Sequence, residues 1–279
     1  MSSGLGHRDR NSLPTWVESA GKAVYYALAT AALLFLLAPI VIVIGIAFNP
    51  TQREAFPPTG ISLRWFQEFL VHEQFFPAFV YVSFPIAILV GVLSTILGVM
   101  AAYVLVRREV PWENAVQSML LGPLIVPAVI IGFSLMLFLT EVGVSIPVMD
   151  LVIGHTIITL PYTLLTAMTS LYNIDEELEE AARNLGATKL QTVRRVTLPM
   201  MRSGVIAGFL FAFIISFADI NIALFLAGDE VTTLPLSIFL FLRWESSPII
   251  AAISTVQILL IMVMVMLIGR LVGFEAFTQ

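Results

Sequence analysis

Six stretches of this 279-residue chain, at about 24–48, 79–106, 115–140, 148–171, 204–227 and 249–272, are predominantly apolar for twenty or more consecutive positions. A bilayer's hydrocarbon core is about 30 Å thick, and a helix rising 1.5 Å per residue needs about 20 apolar residues to cross it. Backbone polar groups find no water there, so each run has to satisfy them internally, as a helix. The composition agrees. Residues are 58% hydrophobic and 12% charged, with a mean hydropathy of +0.95, where soluble domains carry roughly a quarter charged residues. The expected fold class is an all-α membrane protein with six transmembrane helices and little soluble mass. A further apolar piece at 234–242 is too short to span and is expected to be interfacial or re-entrant.

Basic residues decide sidedness. With the N-terminus placed in the cytoplasm, the inner segments hold Arg8, Arg10, Lys22, Arg107, Arg108, Arg183, Lys189, Arg194, Arg195, Arg202 and Arg270. The outer segments hold only Arg53, Arg64 and Arg243, so eleven of the fourteen Lys and Arg lie inside. This predicts a cytoplasmic tail at 1–23, a transmembrane domain at 24–273 and a cytoplasmic C-terminus at 274–279. About twenty largely polar residues precede the first run, and that run is long enough to span, so a cleavable signal peptide is not expected. The longest outer loop carries turn chemistry at Asn49-Pro50 and Pro57-Pro58-Thr59-Gly60, then an amphipathic piece from Leu63 to Leu70. That piece reads as a helix lying on the membrane surface, or as a contact for substrate. Pro39, Pro85, Pro123, Pro127 and Pro161 fall inside spans, where they kink helices for packing or to surround a path.

Between the fourth and fifth runs lies a charged insert, residues 173–199. Asp175, Glu176, Glu177, Glu179, Glu180, Arg183, Lys189, Arg194 and Arg195 could not sit together in lipid without partners, so the insert stands outside the bilayer. Asn173 with Glu176 three positions on predicts a helix start. Ala181, Ala182 and Leu185 form an apolar stripe on that helix, and Gly186 supplies the left-handed residue that stops it. Thr188 and Gln191 make a capping box for a second short helix through Arg195, and Pro199 sits near the start of the next long helix. The insert is thus a helix–turn–helix elbow, either a rigid connector or a docking knob for a partner.

Polar residues inside the runs are few. Asp219 lies about fifteen residues past Gly204, roughly 22 Å into the fifth span at helical rise. That places it in the outer part of a helix rather than in a loop. An intramembrane carboxylate costs roughly 2.5–3.5 kcal/mol on insertion scales unless it meets a polar cavity or a partner, so Asp219 either lines a path or makes a structural hydrogen bond. Ser216 and Asn221 flank it. His155 and Thr156 in the fourth span and Gln257 in the sixth are further candidates for a path or for satisfied packing. Arg243-Trp244-Glu245 lies in an outer connection, as an interfacial segment or a contact for a binding protein. With no Cys there is no thiolate metal site, and no metal or nucleic acid is expected. No Gly-x4-Gly-Lys-[Ser/Thr] phosphate loop occurs, so the chain cannot cradle ATP in that way. It is not expected to be an enzyme.

Glu180-Ala181-Ala182-x3-Gly186-x9-Val196-x-Leu198-Pro199 resembles the EAA loop of the membrane permeases of bacterial binding-protein-dependent ABC importers. Val196 stands where that family usually has Ile. Six spans with the loop between the fourth and fifth are similar to the type I importer permease fold over most of the chain. The resemblance implies that the loop is a coupling helix docked in a groove of a separate ATPase, with Glu180, Ala181, Ala182, Gly186, Leu198 and Pro199 as coupling residues. It also implies a dimer of ATPase subunits that bind ATP and Mg, an extracytoplasmic solute-binding protein, and a bacterial inner-membrane location. Gly60-Ile61-Ser62-Leu63-Arg64-Trp65-Phe66, Ser216-Phe217-Ala218-Asp219, Thr233-Leu234-Pro235-Leu236 and Ser247-Pro248 followed by Ala252-Ile253-Ser254-Thr255 look like the spermidine/putrescine branch. There a C-type subunit pairs with a B-type sister, which implies a heterodimer and, as solute, a polyamine, a related small organic amine or another small charged solute. Members of that branch often carry two adjacent acids where this chain has Ala218-Asp219. Losing one acid weakens the field that would suit a polycation. Under this resemblance Asp219, Asn221, Ser216, His155 and Gln257 are the translocation-path candidates. The competing expectation is an ion-coupled secondary transporter relaying protons or sodium through Asp219 or His155. A membrane scaffold or sensor has too little soluble mass to carry a signalling domain.

Overall fold

Chain geometry follows the apolar runs in four places and departs from them in two. The computed structural model describes residues 15–108, 111–228 and 231–272, and the described residues contain no β-strand. In order the helices are α1 (Thr15–Ala47), α2 (Arg64–Val71), α3 (Phe75–Arg107), α4 (Glu113–Leu124), α5 (Ala128–Val142), α6 (Pro147–Tyr172), α7 (Glu176–Asn184), α8 (Lys189–Met200), α9 (Arg202–Ala218), α10 (Ala223–Leu226), α11 (Leu234–Phe241) and α12 (Pro248–Val272). Of the expected tails, residues 1–14 and 274–279 lie outside the described residues. Residues 15–23 are already the first turns of α1.

The first, second, fourth and sixth runs are the long helices α1, α3, α6 and α12. The third run is not the single helix expected over 115–140, because α4 and α5 meet at 101°. Two prolines explain the break. Pro123 sits in a tight 3-10 turn and Pro127 is extended, with ψ 131°. Proline has no N–H to continue the ladder and pushes the preceding residue out of helical geometry. The fifth run also departs from expectation. α9 ends at Ala218, residues 219–222 leave the helix, and α10 is a single turn. At its other end α8 and α9 meet at 73° around Met201, so Pro199 closes the elbow instead of opening the long helix.

The centre of the protein is the bundle of α3, α6 and α9. Close approach rests on small residues, as expected where lipid supplies no hydrophobic drive between helices. Gly98 on α3 faces Thr163 and the Leu164 backbone nitrogen of α6, and Gly204 on α9 faces Ser170 and the Thr166 carbonyl. Hydroxyls bridge the gap: Ser94 and Thr159 share a 2.7 Å hydrogen bond, and Thr163 donates to the Ser94 carbonyl at 2.7 Å. Such interhelical bonds average about 0.6 kcal/mol. Packing therefore carries the bundle, and the hydroxyls set its register.

At the end opposite the charged insert, α2 lies against α12. Its Trp65 and Phe69 are buried with Phe75, Ile249, Ala252 and Ile253, while Arg64 is exposed and Glu68 half-buried. Trp65 Nε1 donates to the Asn49 carbonyl at 2.7 Å. The Asn49 side chain in turn donates to Arg53 and Ala55 and accepts from Thr51 and Thr59. The amphipathic piece is thus a packed helix with one polar face. The short apolar piece is α11, its buried residues Leu234 and Leu236 packed inward and its first N–H donated to Ser83 in the π turn of α3. Pro85 follows that π turn (Ala78–Ser83), and Pro39 and Pro161 lie inside α1 and α6.

Candidate functional site: an elbow outside the spans and a polar helix break within them

The elbow forms as its caps dictate, with one correction. Asn173 belongs to the end of α6, and the cap of α7 is Asp175, extended at φ −64°, ψ 126°, which accepts the Glu177 N–H at 3.1 Å. Glu176, Glu177 and Glu179 follow in the first turn, where acids complement the positive helix end. The helix stops at Gly186, whose φ of +92° lies in the left-handed region. Gly186 N–H donates to Arg183 O at 2.9 Å and Ala187 N–H to Ala182 O at 3.1 Å. This is the two-bond pattern that satisfies the final carbonyls of a helix. Thr188 and Gln191 then form the expected capping box, with both reciprocal bonds present.

Burial divides the elbow into two faces. Outward stand Glu180, Ala181, Leu185 (90% exposed), Gly186 and Leu190 (76% exposed). Leu178, Ala181, Ala182 and Leu185 fall at helical spacing on α7, an apolar stripe on an otherwise charged knob. Single exposed apolar residues are ordinary; here they line up on one side of the elbow. Leu198 and Pro199 do not join that stripe. They sit past the π turn Val193–Thr197, and Leu198 lines an apolar cleft with Val99, Met100, Tyr103 and Val104 of α3.

The inward face depends on Glu179, which the sequence placed merely among the exposed charges. Its carboxylate is 5% exposed and lies 3.2 Å from Arg107 Nε of α3. It also accepts Thr197 Oγ1 from the π turn of α8 at 3.1 Å. Arg107 Nη2 donates to the Leu171 and Ile174 carbonyls at 3.1 and 2.8 Å. The sequence signal was available in part: Arg107 ends a span, where a cation can reach unpaired helix-end carbonyls. Its pairing with Glu179, seventy-two positions away, was not readable.

Within the spans, the structure brings Ser216, His155 and Asp219 together. His155 Nδ1 and Ser216 Oγ are hydrogen-bonded at 2.8 Å, and His155 Nε2 lies 3.6 Å from Asp219 Oδ1 without reaching hydrogen-bond geometry. Asp219 is not inside a helix, as the sequence suggested. It is the first non-helical residue after α9, extended at φ −74°, ψ 134°, and Oδ1 accepts the Ile222 N–H at 2.7 Å. The carboxylate therefore caps the chain where the helix breaks, which explains why an acid is tolerated there. His155, Ser216 and Asp219 are all buried, Asn221 is exposed at the break, and Gln257 is half-buried on α12 without a hydrogen bond to the cluster. Thr156 Oγ1 is buried with no partner.

The description "binding-protein-dependent transport system inner membrane component" matches residues 94–274, which include the elbow and the helix break. The spermidine/putrescine transport system permease protein PotC of Haemophilus influenzae is 30% identical over 84% of this chain and 90% of its own length. The putrescine transport system permease protein PotI of Escherichia coli is 33% identical over 88% of each chain. Among solved structures, a chain of a bacterial ABC transporter that imports the acidic polysaccharide alginate is similar with a TM-score of 0.69. It shares 16% identity and covers 93% of this chain and 99% of that one. The same kind of transporter in complex with an alginate pentasaccharide-bound periplasmic protein gives a TM-score of 0.68 at 15% identity, covering 94% and 98% of the two chains. At such identity the likeness concerns the fold alone.

Proposed function

Because this chain belongs to the family of binding-protein-dependent transport system inner membrane components, we propose that it forms one half of the translocation path for a polyamine or related small organic amine and is driven by a separate ATPase. The chain is a multi-pass inner-membrane permease subunit with the fold of ABC importer permeases. The carrying observation is the two-faced elbow. An apolar stripe from Leu178 to Leu185 faces outward, while the same helix is anchored to the bundle through Glu179 and Arg107. A surface element built this way can receive a partner and pass its displacement to the spans.

In this reading both termini and the elbow are cytoplasmic. Glu180, Ala181, Ala182 and Gly186 meet a dimer of ATPase subunits, which hold ATP and Mg. Leu198 and Pro199 support the turn from behind. A sister permease completes the path, and an extracytoplasmic binding protein delivers the solute. The amine assignment rests on relatives named for spermidine and putrescine. Asp219, Ser216 and His155 form a polar joint at the break of the fifth span, and exposed Asn221 is the member positioned to meet solute. Membership of the family gives the ion-coupled alternative no support.

The test is reconstitution in proteoliposomes with the cognate ATPase, sister permease and binding protein. Putrescine-loaded binding protein is expected to stimulate ATP hydrolysis and ATP-dependent putrescine uptake. Uptake that persists in ATP-depleted vesicles under an imposed proton or sodium gradient would overturn the reading.

A further inference from the structure

Among the described residues, Arg107–Glu179 is the one Lys/Arg–carboxylate pair that joins residues more than four positions apart. Both side chains are withdrawn from water, at 8% and 5% exposure. Breaking such a pair on one side leaves an uncompensated buried charge, so the contact is held firmly. The partners of Arg107 are informative. Its guanidinium bonds to the last carbonyls at the end of α6 and just beyond it, and to a carboxylate on α7, while its own backbone belongs to α3. Through Thr197 the same carboxylate is tied to α8. The planar fork joins α3, the end of α6 and α7, and the carboxylate it holds adds α8; a lysine's single ammonium could not reproduce the fork.

Without this tie, α7 would be linked to the bundle chiefly through its two chain connections. Residues 173–175 join it to α6, and the left-handed turn at Gly186 joins it to α8, which itself meets α9 at a 73° bend. A push on α7 would then be absorbed at these joints. With the tie in place, α7 is fixed to the ends of α3 and α6, whose neighbouring Leu105, Leu171, Ile174 and Met201 form a buried apolar seat.

We propose that Arg107 is a positioning residue for energy coupling: it makes α7 rigid with the α3–α6–α9 bundle, so that displacement of the elbow by the ATPase moves the spans instead of flexing the linkers. This rests on the reading of α7 as the ATPase-docking helix. The Glu179 carboxylate and Thr197 hydroxyl serve the same tie.

The experiment uses the complete reconstituted complex and measures putrescine imported per ATP hydrolysed, normalised to assembled complex. R107Q is expected to lower that ratio at least fivefold while ATPase subunits remain bound. R107K, which keeps the charge but not the fork, is expected to recover part of the loss. T197V, which removes one bond to the carboxylate and leaves the cation in place, is expected to lower the ratio about twofold, and it decides the matter if R107Q does not assemble. Arg107 acting only in folding would reduce the amount of complex and leave the ratio unchanged. An unchanged ratio in assembled R107Q, or in T197V where R107Q fails to assemble, overturns the tie alone. Wild-type permease that recruits no ATPase overturns the docking reading itself.

Discussion

Gly186 separates two explanations of the elbow that its position leaves entangled. The residue holds φ at +92°, a conformation that costs an L-residue roughly 1–2 kcal/mol. Nothing lies within 4 Å of an added Cβ, so a substitution meets no neighbour within this chain and its cost is all backbone. That cost corresponds to a factor of about 5–30 in a two-state population. It acts on the turn that carries the Gly186-to-Arg183 and Ala187-to-Ala182 bonds. Asn tolerates left-handed geometry better than Ala, and a β-branched residue tolerates it worst. If the turn is what matters, stimulated ATPase activity in the reconstituted complex falls in the order Gly, Asn, Ala, Val. If Gly186 instead gives the ATPase close access, the order follows side-chain size and Ala exceeds Asn. Hydrogen exchange of the segment around Gly186 and Ala187 provides a parallel readout, with protection lost in the same order as activity. Ala performing as well as or better than Asn in both assays would refute the backbone argument.

Two other predictions address the spans. Asp219→Asn keeps an oxygen acceptor for the Ile222 N–H and is expected to fold normally, whereas Asp219→Ala strands that buried donor at a cost of about 1–3 kcal/mol; thermal unfolding in detergent distinguishes them. Putrescine uptake by Asp219→Asn with binding protein saturating then isolates the charge, and an unchanged rate limits Asp219 to capping the break. Gly98→Ala places a methyl group against Thr163 and within 2.9 Å of the Leu164 backbone nitrogen. Overpacking of about 1–3 kcal/mol follows, read as lowered thermal stability, while Gly21→Ala, inside α1 with open space around it, reports the gain of about 0.5–1 kcal/mol that a Gly-to-Ala change in a helix brings when nothing clashes.

Local chemistry was legible wherever one segment contains the whole cause. Twenty apolar residues in a row require a helix in lipid, so the existence of the spans could be read directly. The capping box at Thr188 and Gln191 and the left-handed stop at Gly186 are set by residues three or four apart. The cap at Asp175 was misplaced by two residues because both Asn173 and Asp175 can cap; which one does so depends on where α6 stops. The breaks in the third and fifth runs were missed for a different reason. Proline inside the third run is compatible with a kink or a stop, and neighbouring helices decide between them; the fifth run has no proline, and its break shows only in the extended backbone of Asp219 and its cap on Ile222.

The sequence by itself determined a membrane protein of six apolar runs with a charged, capped elbow, because hydrophobic length and helix capping are properties of contiguous residues. Only the tertiary structure decided that Glu179 turns inward to Arg107 and Thr197, or that Asp219 caps a broken helix beside His155 and Ser216. Apart from the local bond from Ile222 to Asp219, those pairings join residues from segments far apart in the sequence. Their attraction and hydrogen bonds have to offset the cost of withdrawing charge and polar groups from water, and no spacing rule along the chain encodes which distant segments will meet.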